Sequence, residues 1–216
     1  MSALDKITQD LDWRETELGA LKILLVRDDI TSNQKSSLLR AAWTMLYAHY
    51  EGFVKNALSV FFAEVERSIV GCHVLPTPTR ILAHSKSMKV IRSLPAAEMI
   101  VALDSFHTIQ ALEIPSFPEV ETDSNLWPNK LIELLEGADI RSEFVEARRI
   151  ELRTLVQRRN DIAHGKRNLI GEISYYNQFE DAVYGLMYDL AFAIEARLNA
   201  SPYQHLSTSV ADAEGN

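Results

Sequence analysis

The sequence is poor in the residues that build disulfides, zinc sites and phosphate-binding loops. Cys72 is the single cysteine among 216 residues, so the chain cannot form an internal disulfide, which fits a reducing compartment. No two histidines have H-x-x-x-H or H-E-x-x-H spacing, and no glycine-rich segment is present that could surround a phosphate. We therefore expect neither a metal site nor a cofactor.

Long apolar runs and a signal-type N-terminus are also lacking. Charged side chains interrupt the most apolar helical stretches, at Glu51 and Lys55 in one and at Asp181 and Asp189 in the other. Residues 1–6 do not have the basic-then-apolar pattern of a secretory signal. The sequence thus predicts a cytoplasmic chain that does not associate with a membrane.

Positive charge is scarce overall but concentrated in one segment. The net charge is −8; residues 148–167 hold seven basic and two acidic side chains, and removing their +5 leaves −13 for the rest of the chain. A local basic patch on an acidic body suits an anionic target held at one site better than the coating of a long nucleic acid. The alternative interpretation is a solvated helix face.

Hydrophobic periodicity predicts an all-α protein, because no strand pattern of any length is present. The long stretches with apolar residues at three- and four-residue spacing are 2–27, 34–69, 141–163 and 176–199. A further short helix is predicted over 130–136, ended by Gly137. These elements are typical of an up-and-down helical bundle.

Two segments do not fit the regular bundle. Residues 71–125 contain five prolines, and only 96–113 have helical periodicity, so they are predicted to form an irregular insertion between the second and third long helices. Residues 201–216 are small and polar and are predicted to form a disordered tail. We therefore predict a single domain over residues 1–200.

Arg159 lies at an unusual position on the third long helix. At about 100° per residue it falls in the middle of an apolar stripe, while Asn160 and His164 share the shoulder of that stripe. The residues of the stripe are Leu152, Leu155, Val156, Ile162 and Ala163. Burying an arginine in such a stripe costs free energy, unless its charge is paired with a carboxylate or takes part in the function. It is therefore either a structural arginine with an ion-pair partner across the bundle or part of a functional site.

The neighbouring residue types favour phosphodiester chemistry. An imidazole transfers protons near neutral pH, and a guanidinium neutralises charge that develops on a phosphorus centre. The basic pair Lys166-Arg167 follows directly after Gly165.

Two segments carry a resemblance to a known family. The segment Leu155-Val156-Gln157-Arg158-Arg159-Asn160-Asp161-Ile162-Ala163-His164-Gly165 resembles the R-[N/D/H]-x-x-x-H signature of HEPN ribonucleases. On the second helix, Leu46-Tyr47-Ala48-His49-Tyr50-Glu51-Gly52-Phe53-Val54-Lys55 resembles a segment of HEPN-like nucleases from bacterial toxin and defence loci. The two matches lie on different helices in the order found in that family.

The resemblance implies a homodimer in which two copies of the motif meet in one cleft. Such enzymes cut RNA without a metal, use the ribose 2′-hydroxyl as nucleophile and leave a cyclic phosphate. By position, His164 is the general base or acid, Arg159 binds the scissile phosphate or stabilises its transition state, and Asn160 orients one of them. We expect the basic residues Arg158, Lys166 and Arg167 to contact the RNA. The role implied is a toxin or antiviral effector, with a cognate antitoxin or defence-system protein as a possible partner.

Two other functions remain open, and one feature departs from the family. The chain could be a non-catalytic HEPN scaffold that binds a nucleotide or a partner protein, or a structural subunit in which Arg159 forms a buried ion pair. Some HEPN toxins carry a modifiable tyrosine two residues after the motif histidine, where this chain has Lys166.

Glu51 and Lys55 on the second helix support two alternative predictions. Spaced four residues apart, they can form a surface salt bridge with each other. Alternatively, Glu51 reaches across the bundle and pairs with Arg159. Gly52 between them would permit close packing of a neighbouring helix.

Overall fold

The computed structural model describes residues 1–167 and 172–204, and in this part of the chain every regular element is helical. The longest helix, α2 (Ser32–Ser68), has neighbours on several sides and forms the spine of the bundle. Within the described ranges, no helix has both the length and the apolar character needed to cross a membrane. The predicted fold class, an all-α helical bundle, is confirmed.

The first helix, α1 (Ala3–Leu25), packs along α2, and both begin with a capping box. In α2, the Thr31 hydroxyl accepts a hydrogen bond from the Gln34 N–H, and the Gln34 side chain accepts one from the Thr31 N–H. The last long helix, α9 (Ile173–Leu198), packs against the same spine, with Phe179 beside the fully buried Trp43 at a ring distance of 4.6 Å. These apolar faces form the core of the bundle.

The insertion is more helical than the sequence predicts. Besides the predicted helix, which is Ala96–Leu112, it contains a 3₁₀ turn and two short helices, Thr77–Ala83 and Ser85–Arg92. Pro78 lies in the first turn of the first short helix, where the missing N–H is not needed. Pro76, Pro78 and Pro95 thus precede or start helices, whereas Pro115 and Pro118 lie in the irregular stretch that follows the last helix of the insertion. In order, these helices are α3, α4 and α5.

The third predicted long helix is broken in two. After α6 (Pro128–Gly137), the chain forms α7 (Glu143–Ala147) and α8 (Arg149–Ala163), separated at Arg148 with ψ at 17°. The Phe144 ring of α7 packs on Gly185 of α9, where a side chain would have no room. The break directs α8 along α2, and hydrophobic periodicity could not reveal it because the apolar spacing continues across Arg148.

Residues 201–204 do not belong to a disordered tail. Tyr203 is fully buried, its ring stands 5.9 Å from that of Phe61, and the guanidinium of Arg197 lies 4.6 Å from its centroid. Residues 201–204 therefore belong to the packed structure, and the boundary at residue 200 was wrong. The disorder predicted for 205–216 lies outside the described residues.

Candidate functional site

The motif lies at the C-terminal end of α8, where the helix stops in a glycine turn. Gly165 has φ of 71°, and its N–H donates to the Ile162 carbonyl at 3.0 Å. The Lys166 N–H donates to the Asp161 carbonyl at 2.9 Å, which completes a Schellman motif. The helix therefore ends at His164, whose side chain is exposed to solvent.

Arg159 is held by neutral groups. Its guanidinium lies 4.7 Å from the centroid of the Tyr47 ring. The Nη1 atom donates to Asn160 Oδ1 at 2.9 Å and to Asn125 Oδ1 at 3.1 Å. In the described part of the chain, no carboxylate lies within ion-pair distance, and Nε and Nη2 have no protein acceptor. The half-buried guanidinium therefore has no counter-charge among these residues, and one edge of its N–H donors is unused.

Tyr47 and Tyr50 of α2 position the loop that reaches Arg159. The Tyr47 hydroxyl accepts a hydrogen bond from the Leu126 N–H at 2.9 Å, and the Tyr50 hydroxyl donates to the Leu126 carbonyl at 3.0 Å. Burial raises the pKa of Tyr47 to about 12, so its ring stays neutral beneath the guanidinium. Because Leu126 is fixed, Asn125 is fixed beside it.

Both predictions made for Glu51 were wrong. Its Oε1 atom accepts a hydrogen bond from the Thr122 hydroxyl, and no ion pair joins it to Lys55 or Arg159 among the residues that the structure describes. The loop that contains Thr122 covers this part of α2, and the Thr122 hydroxyl group is the hydrogen-bond partner of the carboxylate. Lys55 is half-buried and forms no ion pair in the same ranges.

The predicted RNA-binding residues differ in their surroundings. The Lys166 ammonium pairs with Asp161 at 2.8 Å, and the Lys166 carbonyl accepts a hydrogen bond from Arg40 Nη1 at 2.9 Å. Arg158 is half-buried, and Arg167 is exposed. Lys166 is thus held close to the helix end, and Arg40 of α2 belongs to the same surface although the sequence did not single it out.

A second polar cluster lies on another face of α2, against α1. Arg14 Nε donates to Asp10 Oδ2 at 2.8 Å, Arg14 Nη1 lies 3.3 Å from His49 Nδ1, and His49 Nε2 lies 2.8 Å from Glu17 Oε2. Burial, and next the charge of Arg14, lower the pKa of His49, although Glu17 opposes the shift. Gly52 makes room for the guanidinium, since a Cβ there would lie 2.9 Å from Arg14 Nη1. The predicted close approach at Gly52 thus serves a side chain of α1.

The described residues contain no group of three or more histidine, cysteine, aspartate or glutamate side chains that could hold a metal ion. The candidate site therefore consists of a guanidinium, two amides, an exposed imidazole and neighbouring basic residues. Sequence patterns could not identify Asn125, because it is 34 residues from Arg159 along the chain and is brought there by the loop.

Comparison with known proteins assigns the chain to a family. No curated protein and no solved structure matches the chain. A family model, described as HEPN_MAE_28990-like HEPN, matches residues 3–203, which is nearly the whole chain and includes both the α2 segment and the α8 motif. The chain belongs to the HEPN family.

Proposed function

We propose that this protein is a metal-independent endoribonuclease whose active site contains Arg159, Asn160 and His164. The observation that carries the proposal is the state of Arg159. A half-buried guanidinium with no counter-charge in the described part of the chain and an unused donor edge is suited to an external anion. The alternative raised by the sequence, a structural arginine in a buried ion pair, would need a carboxylate partner, which the described residues do not supply.

The proposed reaction is an intramolecular transfer at phosphorus. The ribose 2′-oxygen attacks the scissile phosphorus, the bond from phosphorus to the 5′-oxygen breaks, and a 2′,3′-cyclic phosphate remains. One imidazole takes the 2′-hydroxyl proton, and a second gives a proton to the leaving 5′-oxygen. Arg159 neutralises the charge that builds on the phosphoryl oxygens. Asn160 and Asn125 hold the guanidinium in place from one side.

A single copy of the motif supplies one histidine, whereas this reaction is served best by an acid and a base. A homodimer with its two-fold axis near the end of α8 would add the partner subunit's His164. Because His164 is exposed at a helix end, a second copy can approach it without unfolding the bundle. We therefore propose that the site is composite.

The first test is incubation of the purified protein with total RNA in EDTA. We expect the wild type to cut RNA and His164→Ala to leave it intact. His73→Ala is the matched control, because His73 is also exposed and lies outside the motif. Equal cleavage by the wild type and His164→Ala, with equal melting temperatures, would refute the assignment of His164.

The cellular role that we propose is a toxin or antiviral effector restrained by a cognate antitoxin or defence partner. Induced expression should then arrest growth with the wild type but not with His164→Ala at equal protein levels. If both arrest growth equally, the non-catalytic alternative, a HEPN scaffold that binds a nucleotide or a partner protein, is favoured. In that case the protein should bind RNA or a nucleotide without cutting it.

A further inference from the structure

A groove runs beside α8 toward the motif. It has a volume of about 440 Å³, which falls within the range of sites that accept a nucleotide-sized ligand. One wall is the start of α6, and the other is the exposed face of α8. The lining residues are Trp127, Pro128, Asn129, Arg149, Arg153 and Gln157.

The groove and the motif lie on the same face of α8. At about 100° per residue, its α8 residues fall within about 80° of Asn160 and His164 around the helix axis. The residues that share this face are Arg149, Arg153, Gln157, Asn160 and His164. The rise from Arg149 to His164 is about 22 Å along the axis. A linear molecule that occupies the groove is therefore directed toward the catalytic end.

The charges of the groove favour a polyanion. Arg153 is exposed and Arg158 half-buried, and neither has a carboxylate partner among the residues that the structure describes. A second pocket, lined by both arginines with Thr154, Gln157 and Asp161, adjoins the first and shares Arg153 and Gln157 with it. The Asp161 carboxylate at its edge is engaged by Gln157 and Lys166. Arg153 therefore borders both pockets and Arg158 borders the second, and neither guanidinium has a counter-ion within the described ranges.

Trp127 adds a stacking surface. It precedes α6 as its N-cap, is half-buried against the core, and presents part of its indole to the groove. On the facing wall, Arg149 is fixed by Glu146 at 2.9 Å and by Asn129. An aromatic ring beside a row of cations is the usual combination for binding single-stranded nucleic acid, since every base offers a face for stacking.

We propose that this Trp127 groove binds the single-stranded RNA that adjoins the scissile phosphate. Arg153 in the groove and Arg158 in the adjoining pocket contact the backbone, and Trp127 stacks on one base. The inference rests on the proposed function for the identity of the ligand, but it concerns binding and can be tested without cleavage.

The test measures the affinity of a fluorescently labelled single-stranded RNA for the full-length His164→Ala protein over a series of salt concentrations. Arg153→Gln should weaken binding and lower the magnitude of the slope of log K against log salt by about 0.7, the value for one phosphate contact on a single strand. Trp127→Leu should weaken binding by roughly 5- to 150-fold, whereas Trp127→Tyr should retain most of the affinity. The matched controls Arg67→Gln and Trp13→Leu, which change exposed residues outside the groove, should bind as the parent does.

Melting temperature and sedimentation are measured on every variant. The inference is overturned if Arg153→Gln and Trp127→Leu bind RNA as the parent does, if duplex RNA is preferred, or if the loss of affinity follows a loss of the dimer. It is also overturned if the parent has no affinity for RNA.

The two proposals fail in different ways. If the wild type does not cut RNA but binding depends on Trp127 and Arg153, the groove is supported and the nuclease activity is refuted. If the wild type cuts RNA while groove variants bind and cut normally, the nuclease stands and the groove is refuted.

Discussion

Replacing Arg159 with methionine removes the guanidinium but keeps most of the apolar stem. Two kinds of contact are lost, the stacking on Tyr47 at 4.7 Å and the hydrogen bonds to Asn125 and Asn160. The stacking contributes about 0.5–2 kcal/mol, and the hydrogen bonds of a half-buried cation to amides that water can reach add about 1 kcal/mol. We expect Arg159→Met to lower the free energy of unfolding by about 1.5–3 kcal/mol and to abolish RNA cleavage.

The size of the loss in unfolding free energy distinguishes this arrangement from one in which Arg159 forms a buried ion pair. Breaking such a pair from one side costs about 3–5 kcal/mol, because a carboxylate is left unpaired. Glu51→Gln keeps an acceptor for Thr122 and should cost less than about 1 kcal/mol. The two residues do not pair but share Tyr47 and the 122–126 loop, so the coupling in the double variant should stay below about 1 kcal/mol, well under that of a broken ion pair.

The assay is urea denaturation of Arg159→Met, Glu51→Gln and the double variant, with Arg158→Met as the matched control on the same helix. Arg158 is also half-buried but its side chain forms no hydrogen bond within the described ranges, so its replacement should cost less stability than that of Arg159. A loss above about 4 kcal/mol for Arg159→Met, together with strong coupling to Glu51, would refute the reasoning.

Three further predictions follow from the structure. Asn125→Ala should reduce cleavage several-fold and cost about 1 kcal/mol of stability, because it removes one of the two amides that hold Arg159; unchanged kcat and KM would contradict this role. The pKa of His49 is lower in the folded protein than the value of 6.5 in the unfolded chain, so the unfolded chain takes up the proton first as the pH falls. This group therefore contributes stability above about pH 6.5, and the contribution is lost as the pH falls below that value. His49→Gln should flatten this part of the plot of unfolding free energy against pH, and an unchanged plot would contradict the prediction. Sedimentation at micromolar concentration should give a dimer, and a monomer would count against the composite site.

The helices were predictable because their apolar spacing is set locally. For α1 and α2, the predicted ends lie within about two residues of the observed ones, because the apolar periodicity marks each helix almost to its ends. The cap of α2 was predicted as a serine or asparagine and is Thr31 in the structure. The break at Arg148 was not predictable, because it depends on Phe144 packing on Gly185 of a distant helix. In the insertion, Pro78 and Pro95 mark helix starts, a role that proline shares with helix breaking and that its presence alone does not decide.

The candidate site, too, was predictable from the sequence only in part. The contact between Arg159 and Asn160, adjacent residues about 100° apart around the helix, was not predictable from helix spacing. The position of His164 one turn after Asn160 does follow from their spacing on one helix. The partners that come from elsewhere do not. Asn125 reaches Arg159 because Leu126 is held by two tyrosines of α2, and the same loop brings Thr122 to Glu51. Helix phase alone places Glu51 of α2 opposite Arg159 of α8. It contains no information about a loop that covers α2.

The most direct test uses a defined RNA oligonucleotide in EDTA with the wild type and His164→Ala, beside the same oligonucleotide with a 2′-deoxyribose at the cleaved position. We predict that the wild type cuts only the all-ribose strand and leaves a 2′,3′-cyclic phosphate, while His164→Ala cuts neither strand. Cleavage of the deoxy-substituted strand at that position, or cleavage of the all-ribose strand by His164→Ala at the wild-type rate, would contradict a ribonuclease that uses the 2′-hydroxyl and His164.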